Sequence, residues 1–130
     1  MKILADLKYT DSDEWLKVDG NIITIGITDY AQNHLSDLVY CGLKAEKDKM
    51  VSKGELIVEI DSVKVSAEVN SPVDGTIIDS NKSLSTTPEV INTDPYGDGW
   101  FYKIKVSSLA ELDKLMSSAD YEKYCETRGD

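Results

Sequence analysis

Leu56-Ile57-Val58-Glu59-Ile60-Asp61-Ser62-Val63-Lys64-Val65-Ser66-Ala67-Glu68-Val69-Asn70 is the stretch that decides the fold. Before Lys64, Leu56, Val58 and Ile60 alternate with Ile57, Glu59 and Asp61; after it, Val65, Ala67 and Val69 alternate with Ser66, Glu68 and Asn70. Side chains of an extended chain point to opposite faces in turn, so this period predicts a pair of half-buried strands. Lys64 falls where the patterns meet, at or near a hairpin tip. Gly54 before the unit and Gly75 after it frame the lysine almost symmetrically. A protruding amine on exposed backbone is what a modifying enzyme can reach; the plain alternative is a solvated charge on a turn.

Outward from this unit the chain reads as short strands. Trp15, Leu16 and Val18 lead through the turn signal Asp19-Gly20-Asn21 into Ile22-Ile23-Thr24-Ile25-Gly26, which predicts a second hairpin. Thr28 or Asp29 can cap a short helix carrying Tyr30, Ala31 and His34 or Leu35, near residues 28–35, before Leu38-Val39-Tyr40-Cys41 resumes strand character. Residues 44–49 are charged without apolar pattern and predict a surface loop. Thr76-Ile77-Ile78 is a further strand, residues 85–91 a short helix or turn, and residues 100–106 another strand. From Ser107 the period changes. Leu109, Leu112, Leu115 and Met116 recur at helical spacing behind a capping box of Ser107 or Ser108 with Glu111, and Tyr121, Tyr124 and Cys125 share one face of a last helix. The fold class expected is mainly β, a small sandwich or barrel with C-terminal helices. Trp15, Trp100 and Phe101 are expected as core anchors.

The 130 residues, 41% of them hydrophobic, fit one domain spanning residues 1–130. Against 14 basic residues stand 24 acidic ones, a formal charge of −10, which opposes binding to nucleic acid phosphates. The same charge suits either simple solubility or steering toward basic docking surfaces. Cys41 and Cys125 are far apart and no histidines cluster, so neither a metal site nor a Cys-x-x-Cys redox site is suggested. The apolar stretch before Asp6 is too short for a signal peptide, and no run reaches membrane-spanning length. Cytoplasm in a bacterium, or an organelle matrix in a eukaryote, is the expected compartment. No nucleophile–base pairing is visible, and Gly97-Asp98-Gly99 lacks the strand-then-helix context of a phosphate loop.

The string Asp61-Ser62-Val63-Lys64 resembles the lipoyl attachment hairpin of the glycine cleavage system H protein family, usually Glu-Ser-Val-Lys. The resemblance continues in order through Tyr9-Thr10, Glu14-Trp15, Gly26-Ile27-Thr28-Asp29-Tyr30-Ala31-Gln32, Ser71-Pro72-Val73-Asp74-Gly75, Asn92-Thr93-Asp94-Pro95-Tyr96 and Gly99-Trp100, from residue 7 to about 125. It implies the flattened barrel-sandwich hybrid of lipoyl and biotinyl domains. It also implies a non-catalytic, monomeric carrier with lipoate on Lys64, attached by a lipoyl-attaching enzyme that reads Asp61, Ser62 and Val63. The implied cargo is the aminomethyl group of glycine, taken from a decarboxylase, P protein, to an aminomethyltransferase, T protein, with a dihydrolipoyl dehydrogenase, L protein, reoxidising the arm. Family members fold the loaded arm against a surface cleft. By resemblance Ser12, Glu14 and Glu68 line it and His34 lies near it; ordinary solvated acids and a packing histidine are the alternatives.

The chain departs from the family pattern at Asp13, where His is usual, at Ser36, where Gly is usual, and at Asp61, where Glu is usual. Ser36 in place of glycine argues against a positive φ there, unless strain is accepted. Alternatives to the glycine cleavage carrier are an H-like relay supplying lipoate to 2-oxo acid dehydrogenases and an unmodified interaction scaffold. A biotin carrier would have methionines where Val63 and Val65 stand.

Overall fold

The computed structural model describes residues 1–128. The strands are β1 (Lys8–Tyr9), β2 (Glu14–Asp19), β3 (Ile22–Ile27), β4 (Leu38–Leu43), β5 (Met50–Val51), β6 (Leu56–Ser62), β7 (Ser66–Asn70), β8 (Gly75–Ser80) and β9 (Tyr102–Val106). The helices are α1 (Asp29–Leu35), α2 (Val90–Thr93) and α3 (Ser118–Thr127), with 3-10 turns at Lys82–Ser85 and Leu109–Lys114. A six-stranded sheet runs β1-β2-β3-β9-β8-β5 and a three-stranded sheet runs β4-β6-β7. Neither sheet closes on itself, and neighbouring strands are antiparallel throughout. This is the expected barrel-sandwich architecture. No helix among the described residues is long and apolar enough to cross a membrane.

Alternation along the strands builds the core between the sheets. Ile23 and Ile25 of β3 and Tyr102 and Ile104 of β9 are fully buried on one side, and Val58 and Ile60 of β6 meet them with Cys41 and Val69. Each fully buried aliphatic side chain contributes about 1.5–3 kcal/mol, so this layer supplies most of the stabilisation. A second cluster caps one end with Leu7, Tyr9, Trp15, Tyr30, Tyr121 and Cys125. Tyr9 and Tyr121 stack there at 4.6 Å between ring centroids. The Trp15 indole crosses over Gly26, its partner in β3, where an added Cβ would come within 2.6 Å of Nε1. Glycine at 26 therefore admits the indole, whose N–H donates to Pro95 O at 2.9 Å.

Several local expectations change. A bulge between Leu56 and Val58 lets Ile57, expected on the polar face, become fully buried beside Val58. Gly75 does not close the Lys64 hairpin, which ends at Asn70; it opens β8 in the other sheet. Trp100 precedes β9 and is only half-buried, with the Lys103 ammonium 5.6 Å from its ring centroid. The capping box at Ser108 does not form. Ser108 makes no side-chain cap, and the Glu111 carboxylate instead accepts the Asp74 N–H at 3.1 Å. A bare amide on a neighbouring turn outcompetes the local cap, and the segment tightens into a 3-10 turn with Leu109 exposed. Ser36 adopts φ 68°, ψ −158°, a region reserved almost wholly for glycine. The strain is accepted because Ser36 ends α1: its N–H donates to Gln32 O, and its own carbonyl accepts from Asn92 Nδ2 at 2.9 Å.

Candidate functional site: an exposed lysine and a buried carboxylate

The β6–β7 hairpin carries Lys64 at its tip, between exposed Val63 and Val65. Ser62 organises that tip. Its Oγ accepts the N–H groups of Lys64 and Val65 at 3.2 and 3.0 Å and donates to Val65 O at 3.1 Å. The Val63 N–H donates to Asp37 O at 3.0 Å, tying the tip to the start of β4. Asn92 steadies the other side of this junction, accepting the Leu38 N–H at 2.9 Å and donating to Gln32 Oε1 at 3.0 Å. Lys64 is exposed, and among the described residues its ammonium makes no ion pair or hydrogen bond. Asp61 pairs with Ser66 across the hairpin.

At the base of the same hairpin lies a cleft of about 510 Å³, within the range of ligand pockets. Gly54, Asn70 and Ser71 form one wall, Thr10, Ser12 and Glu14 a second, and Glu111, Lys114 and Met116 a third. Gly54 turns the chain into β6 at φ 90°, a left-handed value suited to glycine. Glu14 is only 5% exposed. Its Oε1 accepts from Thr10 Oγ1 at 2.8 Å and Ser12 Oγ at 2.9 Å, leaving Oε2 without a partner among the described residues. Burial pushes the Glu14 pKa above the ordinary carboxylate value, the hydroxyl bonds from Thr10 and Ser12 pull it back, and the charges of Asp13 and Asp11 add to the rise. The cleft thus offers one oxygen of a reluctant anion, a group that gains from a cationic guest.

Of the expected cleft residues, Ser12 and Glu14 line it together. Glu68 is exposed on β7 opposite Glu59, on the face that leads two residues on to Asn70 of the cleft wall. His34 is not among the lining residues; it sits on α1 with its ring stacked on Tyr30 at 4.2 Å and its Nδ1 2.9 Å from Tyr30 O. Thr10, which belongs to the Tyr9-Thr10 string, also lines the cleft, as do Asn70 and Lys114, and the sequence does not single out any of the three as a cleft residue. No local pattern marks Lys114, whose place depends on where the Leu109–Lys114 turn packs.

Two antiparallel sheets packed in this way, with a β6–β7 hairpin projecting from the smaller one, have the fold of the lipoyl and biotinyl class. The family model described as glycine cleavage H-protein matches residues 7–128. Glycine cleavage system H protein 2, mitochondrial, of Arabidopsis thaliana is 45% identical over 124 residues, covering 95% of this chain and 79% of that protein. The glycine cleavage system H protein of Carboxydothermus hydrogenoformans is 44% identical over 125 residues, 96% of this chain and 95% of that one. The crystal structure of a glycine cleavage system H protein from Mycobacterium marinum superimposes with a TM-score of 0.84 at 30% identity, covering 98% of this chain and 100% of that one. The chain belongs to the glycine cleavage H-protein family: it is a lipoyl carrier of the glycine cleavage system, a component that carries covalently attached lipoate and is not itself catalytic.

Proposed function

We propose that Lys64 is the lipoyl attachment residue and that the loaded arm folds back along the Glu68 and Asn70 face of β7 into the cleft at Ser12 and Glu14. The single observation that carries this reading is the exposed Lys64 ammonium, with no ion pair or hydrogen bond among the described residues, on a tip organised by Ser62. Such a side chain fits acylation: nothing must be broken to free it, and its neighbours Val63 and Val65 leave it reachable. When bound, the lipoyl group supplies a dithiol–disulfide pair on a long tether that takes up and gives back the cargo.

The polypeptide's part is reception. An amine entering the cleft meets Glu14 Oε2 and the hydroxyls of Ser12 and Thr10, in a space where water is partly excluded. A cation beside Glu14 offsets the desolvation that raises its pKa, so guest and carboxylate stabilise each other. The proposed partners are P protein, which supplies the aminomethyl group of glycine, T protein, which receives it, L protein, which reoxidises the arm, and a lipoyl-attaching enzyme that recognises Asp61, Ser62 and Val63. The formal charge of −10 suits docking on basic surfaces of these larger enzymes. The carrier works as a single-domain monomer, in the cytoplasm of a bacterium or an organelle matrix of a eukaryote.

Coexpression with a lipoate ligase followed by intact-mass measurement tests the assignment. Wild type is expected to gain one lipoyl group and Lys64→Ala none; an unmodified wild type overturns it. With P protein added, the lipoylated chain is expected to support exchange of the glycine carboxyl with labelled bicarbonate. A lipoylated chain without exchange would favour the relay to 2-oxo acid dehydrogenases.

A further inference from the structure

Residues 10–14, which supply the hydroxyls and carboxylate of the cleft, form a tight turn: the Thr10 N–H donates to Glu14 O at 3.0 Å and the Asp13 N–H to Thr10 O at 3.3 Å. Asp13 sits at φ 73°, a left-handed value that Asp adopts more readily than most non-glycine residues, and its side chain is clamped there as well. The hold comes from α3 and the residue after it. Arg128 grips Asp13 in a two-pronged pair, Nη1 to Oδ1 at 2.6 Å and Nη2 to Oδ2 at 2.9 Å. The Tyr121 hydroxyl donates to Asp13 Oδ1 at 2.8 Å, and the Tyr124 hydroxyl donates to Asp11 O at 2.9 Å. Since Tyr121 spends its proton on Asp13, the Thr28 hydroxyl 2.7 Å away donates to Tyr121, and the Thr28 N–H in turn donates to Asp13 O at 2.9 Å. Ser12 lies between the two residues so held, and Glu14 follows directly.

The Arg128 and Asp13 side chains are 28% and 14% exposed, so the two-pronged pair is partly shielded from water and fixes the turn in orientation. The guanidinium is further fixed in orientation by the Tyr30 and Tyr124 rings, 4.3 and 4.7 Å from their centroids. Asp13 stands where the family pattern has His, so a carboxylate with a guanidinium partner is a feature of this chain. Deepening the reading above, on which it rests, we propose that Asp13 is a positioning residue and Arg128 its latch, through which the C-terminal helix sets the cleft's grip on an amine-terminated arm by holding the turn that presents Ser12 and Glu14. The other charged groups facing Glu14 are Asp11 on its own turn and Lys53, Glu111 and Lys114 on the opposite walls.

The full-length chain carries the test, as wild type, Arg128→Met, Arg128→Lys and Tyr121→Phe, which deletes only a hydroxyl and keeps the ring stacked on Tyr9. In the unmodified protein, the carboxyl resonance of Glu14 and its titration midpoint, followed by carbon NMR, are expected to move in Arg128→Met, as the released turn admits water and leaves the Asp13 charge unpaired beside Glu14. Arg128→Lys is expected to recover part of the shift, with the melting temperature lowered by only a few degrees. In the lipoylated protein charged from glycine by P protein, without T protein, water removes the cargo as formaldehyde and ammonia and restores the thiol. That loss is expected to speed up about tenfold in Arg128→Met, the change produced by losing about 1.4 kcal/mol of closure. An unchanged loss rate overturns the proposal whatever Glu14 does, and faster loss with an unmoved Glu14 overturns it too, because the cleft would then not be the cause. Should Arg128→Met fail to fold, Tyr121→Phe is judged by the same criteria. Failure of wild type to accept a lipoyl group is a failure of the Lys64 assignment instead, and the Glu14 titration then decides the latch by itself.

Discussion

At the Lys64 tip, the bonds of the Ser62 hydroxyl to Lys64 and Val65 close within three residues. At the Ser12 turn, Asp13 is held by Tyr121 and Arg128, 108 and 115 positions away in sequence. Both are short connections on the same scaffold, and each presents one chemical group. The tip's closure is mostly local, with one further bond from the Val63 N–H to Asp37 O, so its shape does not depend on the far end of the chain. A turn held from the far end of the chain opens when the end cluster loosens, and its stability rises and falls with that of the α3 region. On the proposed reading, attachment and reception of the cargo are supported by separate parts of the fold.

The hardest strain on this contrast is Tyr121→Ala. Removing a fully buried ring that stacks on Tyr9 is expected to destabilise the protein by about 3–5 kcal/mol, read from urea unfolding. Lipoylation of Lys64 in the folded fraction is expected to continue at the wild-type rate; a parallel loss of lipoylation would show that the two regions are not independent. Smaller and of opposite sign is Ser36→Gly. Relief of the backbone at φ 68°, ψ −158° is expected to raise stability by about 1 kcal/mol, seen as a higher denaturation midpoint with unchanged slope.

Glu14→Gln sharpens the contrast through pH. Burial raises the Glu14 pKa above its unfolded value, so the folded state binds the proton more readily. The resulting stabilisation is full below the unfolded pKa and is lost as pH rises through the folded one. Stability measured across that window is expected to fall less steeply with pH in Glu14→Gln than in wild type, while retention of an amine cargo weakens. An unaltered pH slope would mean that Glu14 is not the carboxylate responsible. The smallest effect on stability belongs to Ser62→Ala. Unfolding is expected to shift by no more than about 0.5 kcal/mol, since the tip is exposed, whereas the rate of lipoyl attachment falls several-fold because Lys64 is no longer presented in one geometry.

How much was legible in advance follows the same division. The α1 cap was legible as Thr28 or Asp29, and Thr28 makes it, its side chain accepting the Ala31 N–H three residues on. The Ser108 cap misled because the Glu111 carboxylate that would complete it is drawn to the Asp74 amide in another part of the fold. Ser36 carried a sign, a serine in place of the family glycine, but whether the chain would refuse or accept the strain depended on Asn92, 56 residues away. Ser12 and Glu14 were legible only through resemblance, and Glu68 and His34, named on the same ground, lie outside the lining residues. Arg128 gave no sign at all: a single arginine near the end of the chain has no periodicity and no spacing that points to Asp13.

By itself the sequence determined the strands, the Lys64 hairpin and the family to which the chain belongs. Alternating burial, turn residues and short-range hydrogen bonds act over a few positions and are written in adjacent letters. Only the tertiary structure decided which residues share the cleft, why Glu14 resists ionisation and what holds Asp13 in its left-handed conformation. Desolvation and long-range pairing exist only once the two ends of the chain are packed against each other around the stacked rings of Tyr9 and Tyr121.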